Sequence, residues 1–293
     1  MAVFKSIAFQ AEISRYEIPD PDFVEIARRN CNEEPSTRSK AISDFRKLIQ
    51  ERGEIVPRRN DDAYLLRFLR CRRFIPQLAH RLLVRYETFR RENSFLYACA
   101  AFQLDKVKNV YGGMLPDSPV NGRVTFMRFG RWEPNEVPII DVVRCALIMD
   151  ELAVIQPKLQ VLGVTIVVDL QGLGMRHVRH LTPTIAYQIV SLMGVSFPLF
   201  NHSLHVINYS WFLHSFFYVF KQFIPRAAWD RLYFHGCDLS SLHKFIHPQY
   251  LPPEYGGTGG EIVTTEEWLR EINRYKDDFL VKELRDLGFT VDD

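Results

Sequence analysis

The stretch GVTIVVDLQGLGMRH (residues 163–177) places two glycines directly after an apolar run, a pattern that could bind a dinucleotide. Dinucleotide sites read G-x-G-x-x-G, because glycines let backbone amides approach a pyrophosphate, and an acid about twenty residues on binds the ribose. Here Gly172 and Gly174 are present, but His177 replaces the third glycine and the next acid is Asp230. The stretch therefore predicts a strand and a turn, and an NAD-dependent oxidoreductase is the less favoured alternative.

Histidines are concentrated in the second half of the chain, where eight of the nine lie between His177 and His247. The pairs His202/His205 and His243/His247 have helix-like spacings, but zinc requires three or four converging ligands and neither pair has a recognisable third. Packing, capping and solvent exposure explain them better. The motifs G-x-S-x-G and G-x-x-x-x-G-K-[ST] are also absent. We therefore expect no metal site, no cofactor, no catalytic residue and no enzyme.

The aromatic segment, residues 208–224 (NYSWFLHSFFYVFKQFI), concentrates apolar surface: seven of the thirteen side chains from Trp211 to Phe223 are aromatic. On a helix at about 100° per residue, one broad face holds most of them. That face carries Phe212, Leu213, Phe216, Phe217, Val219, Phe220 and Phe223. The segment is predicted to be an amphipathic helix whose apolar face covers a protein core, a membrane or a ligand.

The elements that surround this segment change character near residue 100. Before it, apolar residues recur at helical spacing in Ser36–Arg52, in Asp61–Phe74 and after Pro76, which predicts a helical bundle. After it, strands alternate with helices, which predicts an α/β domain. The predicted strands are Val124–Phe129, Val164–Leu170, Leu204–Asn208 and Arg231–Gly236, and the predicted helices are 141–160, Thr182–Met193 and Thr265–Leu284. Val164–Leu170 has β-branched residues on both faces, which predicts a strand buried on both sides, as in a parallel sheet covered by helices.

The composition and charge of the chain indicate which classes of partner it could bind. The chain of 293 residues is 47% hydrophobic and 25% charged with a net charge of +2, so nothing favours nucleic acid. Ten arginines lie in Arg58–Glu92 and ten acids in Glu261–Asp293, which indicates either two solvated helical surfaces or a basic surface for anionic lipid. Five scattered cysteines suit reduced thiols. With no secretory signal and no apolar run of roughly 18–20 residues, we expect a cytoplasmic protein with transient peripheral membrane association.

Seven motifs, taken in order, resemble the CRAL-TRIO family of lipid-binding proteins, in particular the branch of α-tocopherol transfer protein and cellular retinaldehyde-binding protein. They are DDAYLLRFLRCRRF, AHRLLVRYETFRREN, VTIVVDLQG, LTPTIAYQIV, FPLFNHSLHVIN, KQFIPRAAWDRLYFHG and LPPEYGG. The resemblance implies an N-terminal helical module (1–98), a CRAL-TRIO lipid-binding domain (99–262) and a C-terminal charged helix (263–293). In that family a mainly parallel sheet forms the floor of an apolar pocket and a mobile helical lid closes it, and the aromatic segment falls at the lid.

The resemblance also implies which residues line the pocket. They are Val143, Ala146, Asp150, Val164, Ile166, Val168, Ile189, Leu192, Met193, Leu199, Leu204, Phe212, Phe216 and Phe220. Only Asp150 is polar, and a buried carboxylate is costly unless it binds a donor, titrates or faces water. Two interpretations stay open: Asp150 accepts a hydrogen bond from a ligand hydroxyl, or it faces solvent.

In the tocopherol-transfer branch a basic cluster beside the lid binds phosphoinositide headgroups, and this chain departs from that pattern. Phe200 and His202 stand where two basic residues are expected, and Ala227 stands where a lysine is expected. The remaining candidates for phosphoinositide contact are His202, Lys221, Arg226 and Arg231. Because phosphate clamps need several cations acting together, the incomplete cluster argues against release triggered by phosphoinositides.

These observations predict a cytosolic carrier that binds one hydrophobic small molecule, such as a retinoid, tocopherol or other isoprenoid, and exchanges it at membranes. A lipid-responsive regulator without transfer activity is the alternative. A third interpretation is that the aromatic residues simply fill a core.

Overall fold

The computed structural model describes residues 21–118, 120–209, 217, 220–259 and 262–292. Its N-terminal helices are α1 (Pro21–Cys31), α2 (Arg38–Arg52), α3 (Asp62–Cys71), α4 (Pro76–Glu92) and α5 (Ser94–Tyr97). The side chain of Asp61 caps α3 by accepting the Tyr64 amide, and Pro76 begins α4, where its missing N–H costs nothing. The structure therefore confirms that this region is helical, as predicted.

Five strands form one sheet in the order β1-β2-β3-β4-β5. They are β1 (Tyr111–Met114), β2 (Arg123–Arg128), β3 (Val164–Asp169), β4 (Asn201–Ile207) and β5 (Leu232–Gly236). Only β1 runs antiparallel, and the other neighbours are parallel. Because parallel crossovers are right-handed, a sequential order places every crossover on the same face of the sheet. The predicted α/β class with a mainly parallel sheet is confirmed.

The crossover helices differ from the prediction in where they end. The helix predicted for 141–160 is two helices, α6 (Ile139–Ile155) and α7 (Pro157–Leu162), because Pro157 forces Gln156 into an extended conformation. Between β3 and β4 lie α8 (Met175–Val178) and α9 (Pro183–Val190). The helix predicted to reach Met193 kinks after α9 at Gly194, whose φ is +98°, and a side chain there would collide with Asn201.

The C-terminal segment forms two helices, so the prediction of one charged helix is wrong. After α10 (Leu239–Leu242) come α11 (Thr265–Arg274) and α12 (Asp278–Leu287), separated where Asp277 caps α12 by accepting the Leu280 amide. The Asp277 cap favours the start of a new helix over continuation of α11. Beyond α12, Thr290 pairs with the backbone of Cys99 and Ala101.

The basic and acidic segments meet within the structure. Glu283 of α12 is buried and accepts hydrogen bonds from both Arg58 and Arg59, beside buried Arg67. Opposite charges therefore attach the C-terminal helix to the N-terminal helices. Only part of the arginine-rich segment is a solvated surface.

The two faces of the sheet have separate cores. One face lies under α6 and α9, and this core continues into the N-terminal helices, where the rings of Tyr86 and Phe89 contact Phe197 at 5.3 and 5.7 Å between centroids. The other face is covered by residues 239–255, where Tyr255 stacks on Phe126. Space for a ligand lies on the α6 side.

Candidate functional site

Two adjoining apolar cavities lie between the sheet and its crossover helices. The first, here named the α6 chamber, has a volume of about 70 Å³ and is walled by α6, β2, β3, the end of α9 and α11. The second, the β5 chamber, has a volume of about 160 Å³ and is walled by β3, β4, β5, α9 and part of the aromatic segment. Phe129, Ile189 and Met193 line both, so the chambers are neighbours separated only by side chains.

The floor of both chambers consists of rows of residues that cross the sheet. One row pairs Thr125, Ile166, Leu204 and Leu232 on successive parallel strands. The next row on the same face is two residues along, and it consists of Met127, Val168, Val206 and Phe234. In both rows the β2 member lines the α6 chamber and the β5 member lines the β5 chamber, so the floor is continuous.

The structure brings the predicted pocket residues together where it describes them. The α6 chamber is lined by Val143, Ala146, Asp150, Val164, Ile166, Ile189, Leu192, Met193 and Leu199. The β5 chamber is lined by Val168, Leu204 and Phe220, together with Ile189 and Met193. Phe212 and Phe216 lie outside the described residues. That these residues bind a ligand stays a prediction.

Several lining residues were missed from the sequence. Thr125 and Met127 alternate on β2, so the strand prediction alone could have placed them beside Ile166 and Val168. Trp268 of α11 also lines the α6 chamber, although it follows β5 in the chain and no local pattern connects it to the pocket. Only the tertiary path of the C-terminal segment brings it there.

An aromatic cluster borders the β5 chamber at the edge of the sheet. The ring of Phe217 makes edge contacts with Phe234 at 4.9 Å and with Trp229 at 5.6 Å, and Tyr209 contacts Phe234 at 5.8 Å. Phe220 and Ile224 line the same chamber and are half-buried. The described part of the aromatic segment therefore packs against β5 and covers the chamber.

Asp150 and Glu151 are consecutive on α6 but have different surroundings. Asp150 lines the α6 chamber, and no described residue donates a hydrogen bond to its carboxyl group. Burial raises the pKa of Asp150 well above its usual value, and the neighbouring Glu151 raises it further. Asp150 therefore faces an enclosed chamber, which argues against the interpretation that it faces bulk solvent.

Glu151 faces the N-terminal helices and its carboxyl group is satisfied. It accepts hydrogen bonds from Tyr86 at 2.8 Å and from Tyr97 at 2.9 Å. Burial raises the pKa of Glu151 to about 7, although these hydrogen bonds and the nearby Arg58 oppose the rise. These contacts hold the side of α6 that packs on the N-terminal helices. They thereby position Asp150 on the side that lines the α6 chamber.

The candidate phosphoinositide contacts differ in their surroundings. Arg231 donates to the Asn201 carbonyl at 3.1 Å and lies over the Phe200 ring. His202 contacts the Leu162 carbonyl at 2.6 Å, and burial, together with Arg231, lowers the pKa of this imidazole. The low pKa disfavours the cationic form of His202. Lys221 lies over the Trp229 ring at 5.2 Å, and Arg226 is exposed.

The histidines of the two pairs singled out in the sequence have structural partners. His202 and His205 lie on β4, where His205 contacts Ser203 at 2.7 Å and His235 at 2.9 Å. His243 bonds to the Tyr255 carbonyl, and His247 caps a short turn by accepting the Gln249 amide. Packing and capping, as expected, account for them. Within the described ranges, no three His, Cys, Asp or Glu side chains are grouped to hold a metal ion.

The glycine pattern after β3 does not form a dinucleotide site. Gly172 makes a turn with φ of +84°, but the helix that follows, α8, has only four residues. A pyrophosphate site needs a longer helix whose N-terminal amides and dipole face the phosphates. His177 instead accepts the Gly174 amide at Nδ1 and donates from Nε2 to the Trp132 carbonyl. No helix in the described part of the chain has the length and apolarity to cross a bilayer.

Comparisons with known proteins agree with this architecture. The CRAL/TRIO domain matches residues 117–257. Clavesin-1 of Rattus norvegicus is 31% identical over 243 residues, which cover 81% of this chain and 69% of that protein. Clavesin-2 of Homo sapiens is 31% identical over 242 residues, covering 81% of this chain and 74% of that protein.

The fold itself is similar to the crystal structure of Sfh5, with a TM-score of 0.54 at 14% identity. That likeness covers 83% of this chain and 97% of the Sfh5 chain. The sequence relatives extend the likeness over both the helical N-terminal part and the sheet. On this evidence the chain belongs to the CRAL-TRIO family of lipid-binding proteins.

Proposed function

We propose that this protein is a carrier that holds one hydrophobic small molecule across the two chambers and exchanges it at membranes. The observation that carries the proposal is the pair of adjoining apolar chambers above one floor of the sheet, covered at the β5 end by Phe217 and Phe220 of the aromatic segment. The cargo class is an isoprenoid, such as a retinoid or tocopherol, or a similar lipid. The cargo leaves without any bond being made or broken, so the mechanism is physical.

The energetics support a cover that opens at a bilayer. An aromatic side chain buries ~150–250 Å² at about 25 cal/mol per Å², so several rings hold a cover closed over apolar cargo in water. Opening the cover in water would expose these rings, which costs free energy. At a bilayer surface the rings exchange contact with the cargo for contact with lipid, so most of that cost is removed. Opening is therefore favoured at a bilayer, where the lipid can take up the cargo.

We infer that exchange takes place at the cytoplasmic face of membranes. The five cysteines are all free thiols in the structure, which suits a reducing compartment. Trp229 and Lys221, beside the aromatic cluster, are residue types that favour a membrane interface, where an aromatic ring and a cation both find partners. We expect phosphoinositides to act weakly, since Arg231 donates to the Asn201 carbonyl and the lowered pKa of His202 disfavours its cationic form.

A vesicle-to-vesicle transfer assay tests this function. Donor vesicles carry a fluorescent retinoid or tocopherol analogue with a quencher, acceptor vesicles carry neither, and catalytic amounts of protein are added. The proposal predicts transfer well above the spontaneous rate, in proportion to protein concentration. Stoichiometric binding of the analogue with transfer at the spontaneous rate would instead favour a lipid-responsive regulator.

A further inference from the structure

Among the polar residues that line the α6 chamber, Tyr111 bonds to the Val142 carbonyl and Arg123 to Asp117, whereas three further polar groups do not satisfy one another. The carboxyl group of Asp150 comes from α6 and the hydroxyl of Thr125 from β2, and neither has a hydrogen-bond partner among the described residues. Trp268 of α11 lines the same chamber, and its Nε1–H is buried, also without a partner in the described part of the chain. Three unpaired groups from separate elements in one small chamber are costly unless a ligand satisfies them.

The β5 chamber differs, because its polar side chains have partners. His177 uses both ring nitrogens, with the Gly174 amide and the Trp132 carbonyl. Tyr209 has a hydrogen bond with the Gly236 backbone. Trp132 donates its Nε1–H to the Val137 carbonyl at 2.8 Å, and the remaining lining side chains are apolar. The two chambers thus offer different chemistry: hydrogen bonds in the α6 chamber, and hydrocarbon contact in the β5 chamber.

We propose that the α6 chamber binds the polar end of the cargo, an uncharged hydroxyl or carbonyl group, through a hydrogen bond with Asp150, while the hydrocarbon end occupies the β5 chamber. This inference rests on the proposed carrier function and adds to it an orientation and a head group. The floor supports the orientation, since its rows lead from Thr125 on β2 to Leu232 on β5. Three strand spacings correspond to roughly 14 Å, a length that a linear hydrocarbon can span.

The surroundings of Asp150 disfavour ionised heads. Burial raises the pKa of this carboxyl group well above its usual value, which favours the neutral acid, a form that can donate to a carbonyl or accept from a hydroxyl. A carboxylate or phosphate head would lose its solvation in a chamber whose lining cation, Arg123, already pairs with Asp117 at 2.8 Å. An ammonium head would place a second positive charge in the chamber that Arg123 lines. An uncharged head costs least.

Four probes that share one hydrocarbon chain test the inference: hexadecane, hexadecanol, palmitate and hexadecylamine. Their dissociation constants are measured on the full chain, by displacement of a fluorescent lipid analogue, for the wild type and three variants. Asp150→Leu replaces the carboxyl group with apolar volume, and Thr125→Val removes the second polar group without changing shape. Asp141→Asn is the matched control, because Asp141 lies on the same helix but pairs with Arg144 at 3.0 Å outside the chamber.

The measured quantity is the ratio of the hexadecane to the hexadecanol dissociation constant. We expect a ratio of about ten in the wild type and in Asp141→Asn, a smaller ratio in Thr125→Val, and a ratio near one in Asp150→Leu. Palmitate and hexadecylamine should bind the wild type more weakly than hexadecanol does.

The outcomes separate this inference from the carrier function. If all probes bind but the ratio is the same in the wild type and Asp150→Leu, the head-group inference fails and the carrier function stands. Tightest binding of palmitate or hexadecylamine would overturn the uncharged head. If no probe binds, the apolar pocket itself is refuted, and the inference fails with it.

Discussion

At the scale of single residues, adjacent carboxyl groups on α6 have separate tasks because a helix turns about 100° per residue. Asp150 faces the chamber, whereas Glu151 faces Tyr86 and Tyr97 of the N-terminal helices. The sequence identified Asp150 as the polar exception in the pocket. It did not distinguish Glu151, because only the packed N-terminal helices supply the two hydroxyl partners.

Glu151 should make stability depend on pH. Its pKa is about 7 in the folded protein and 4.5 when unfolded, so the folded state binds more protons between these values. Stability contributed by Glu151 is complete below pH 4.5 and is lost as pH rises to about 7, by roughly 3 kcal/mol. Urea unfolding of Glu151→Gln should lack this loss, and exposed Glu136→Gln should keep it. If the free energy of unfolding of Glu151→Gln falls with pH as it does in the wild type, Glu151 is not the group responsible.

His205 should act with the opposite sign. Burial, helped by His235, lowers its pKa from 6.5 to about 4, so the unfolded state binds more protons between these values. Its contribution to stability is present above pH 6.5 and is lost as pH falls to about 4. Replacing His205 with Gln should therefore reduce acid sensitivity, measured as the change in the urea midpoint between pH 7 and pH 5. A variant that remains as acid-sensitive as the wild type would exclude this role for His205.

At the scale of elements, the aromatic segment should control how long the cargo stays bound. Phe217 lines the β5 chamber and contacts Phe234 and Trp229, so Phe217→Ala removes part of the cover. We expect release of a bound fluorescent retinoid to become about tenfold faster, in line with the loss of one half-buried ring. Phe95→Ala, an exposed aromatic on α5, is the control and should not change the rate. Equal release rates in both variants would show that the segment is not a cover.

A second element, α12, should depend on the charge of Glu283 as well as on its buried leucines. Burial of Glu283 is offset by Arg67, Arg58 and Arg59, which together lower its pKa. Glu283→Gln leaves buried arginines without their counter-charge, so the free energy of unfolding should fall by about 3 kcal/mol. Exposed Glu266→Gln, which also loses an ion pair with an arginine, should change it by less than about 1 kcal/mol. Similar effects of the two substitutions would mean that α12 is held by apolar packing alone.

At the scale of the whole molecule, the sequence predicted the type and order of the elements better than the residues at which neighbouring helices are separated. Hydrophobic periodicity located β2 to β5 and the helical N-terminal part, because each of these buries a regular face. The same periodicity predicted one helix where α6 and α7 lie, and one where α11 and α12 lie. The residues that separate them, Gln156 and Asp277, act through local backbone geometry, which periodicity does not report.

The pocket was predictable in part for the same reason. Alternation along β3 and the resemblance to a known family named residues that do line the two chambers. Trp268 could not be named, since it reaches the α6 chamber only after the chain has crossed β5 and returned. The grouping of Trp268 with Asp150 and Thr125 in one chamber is therefore a property of the tertiary structure.

The most direct test of the carrier account is native mass spectrometry of the purified protein, followed by organic extraction and identification of what is released. The account predicts one apolar molecule per chain, with a single uncharged oxygen-containing head, that is retained under gentle desolvation. An empty protein that also fails to bind retinoids, tocopherols and phospholipids on titration would contradict it. The chambers would then be packing defects, and the aromatic segment a part of the core.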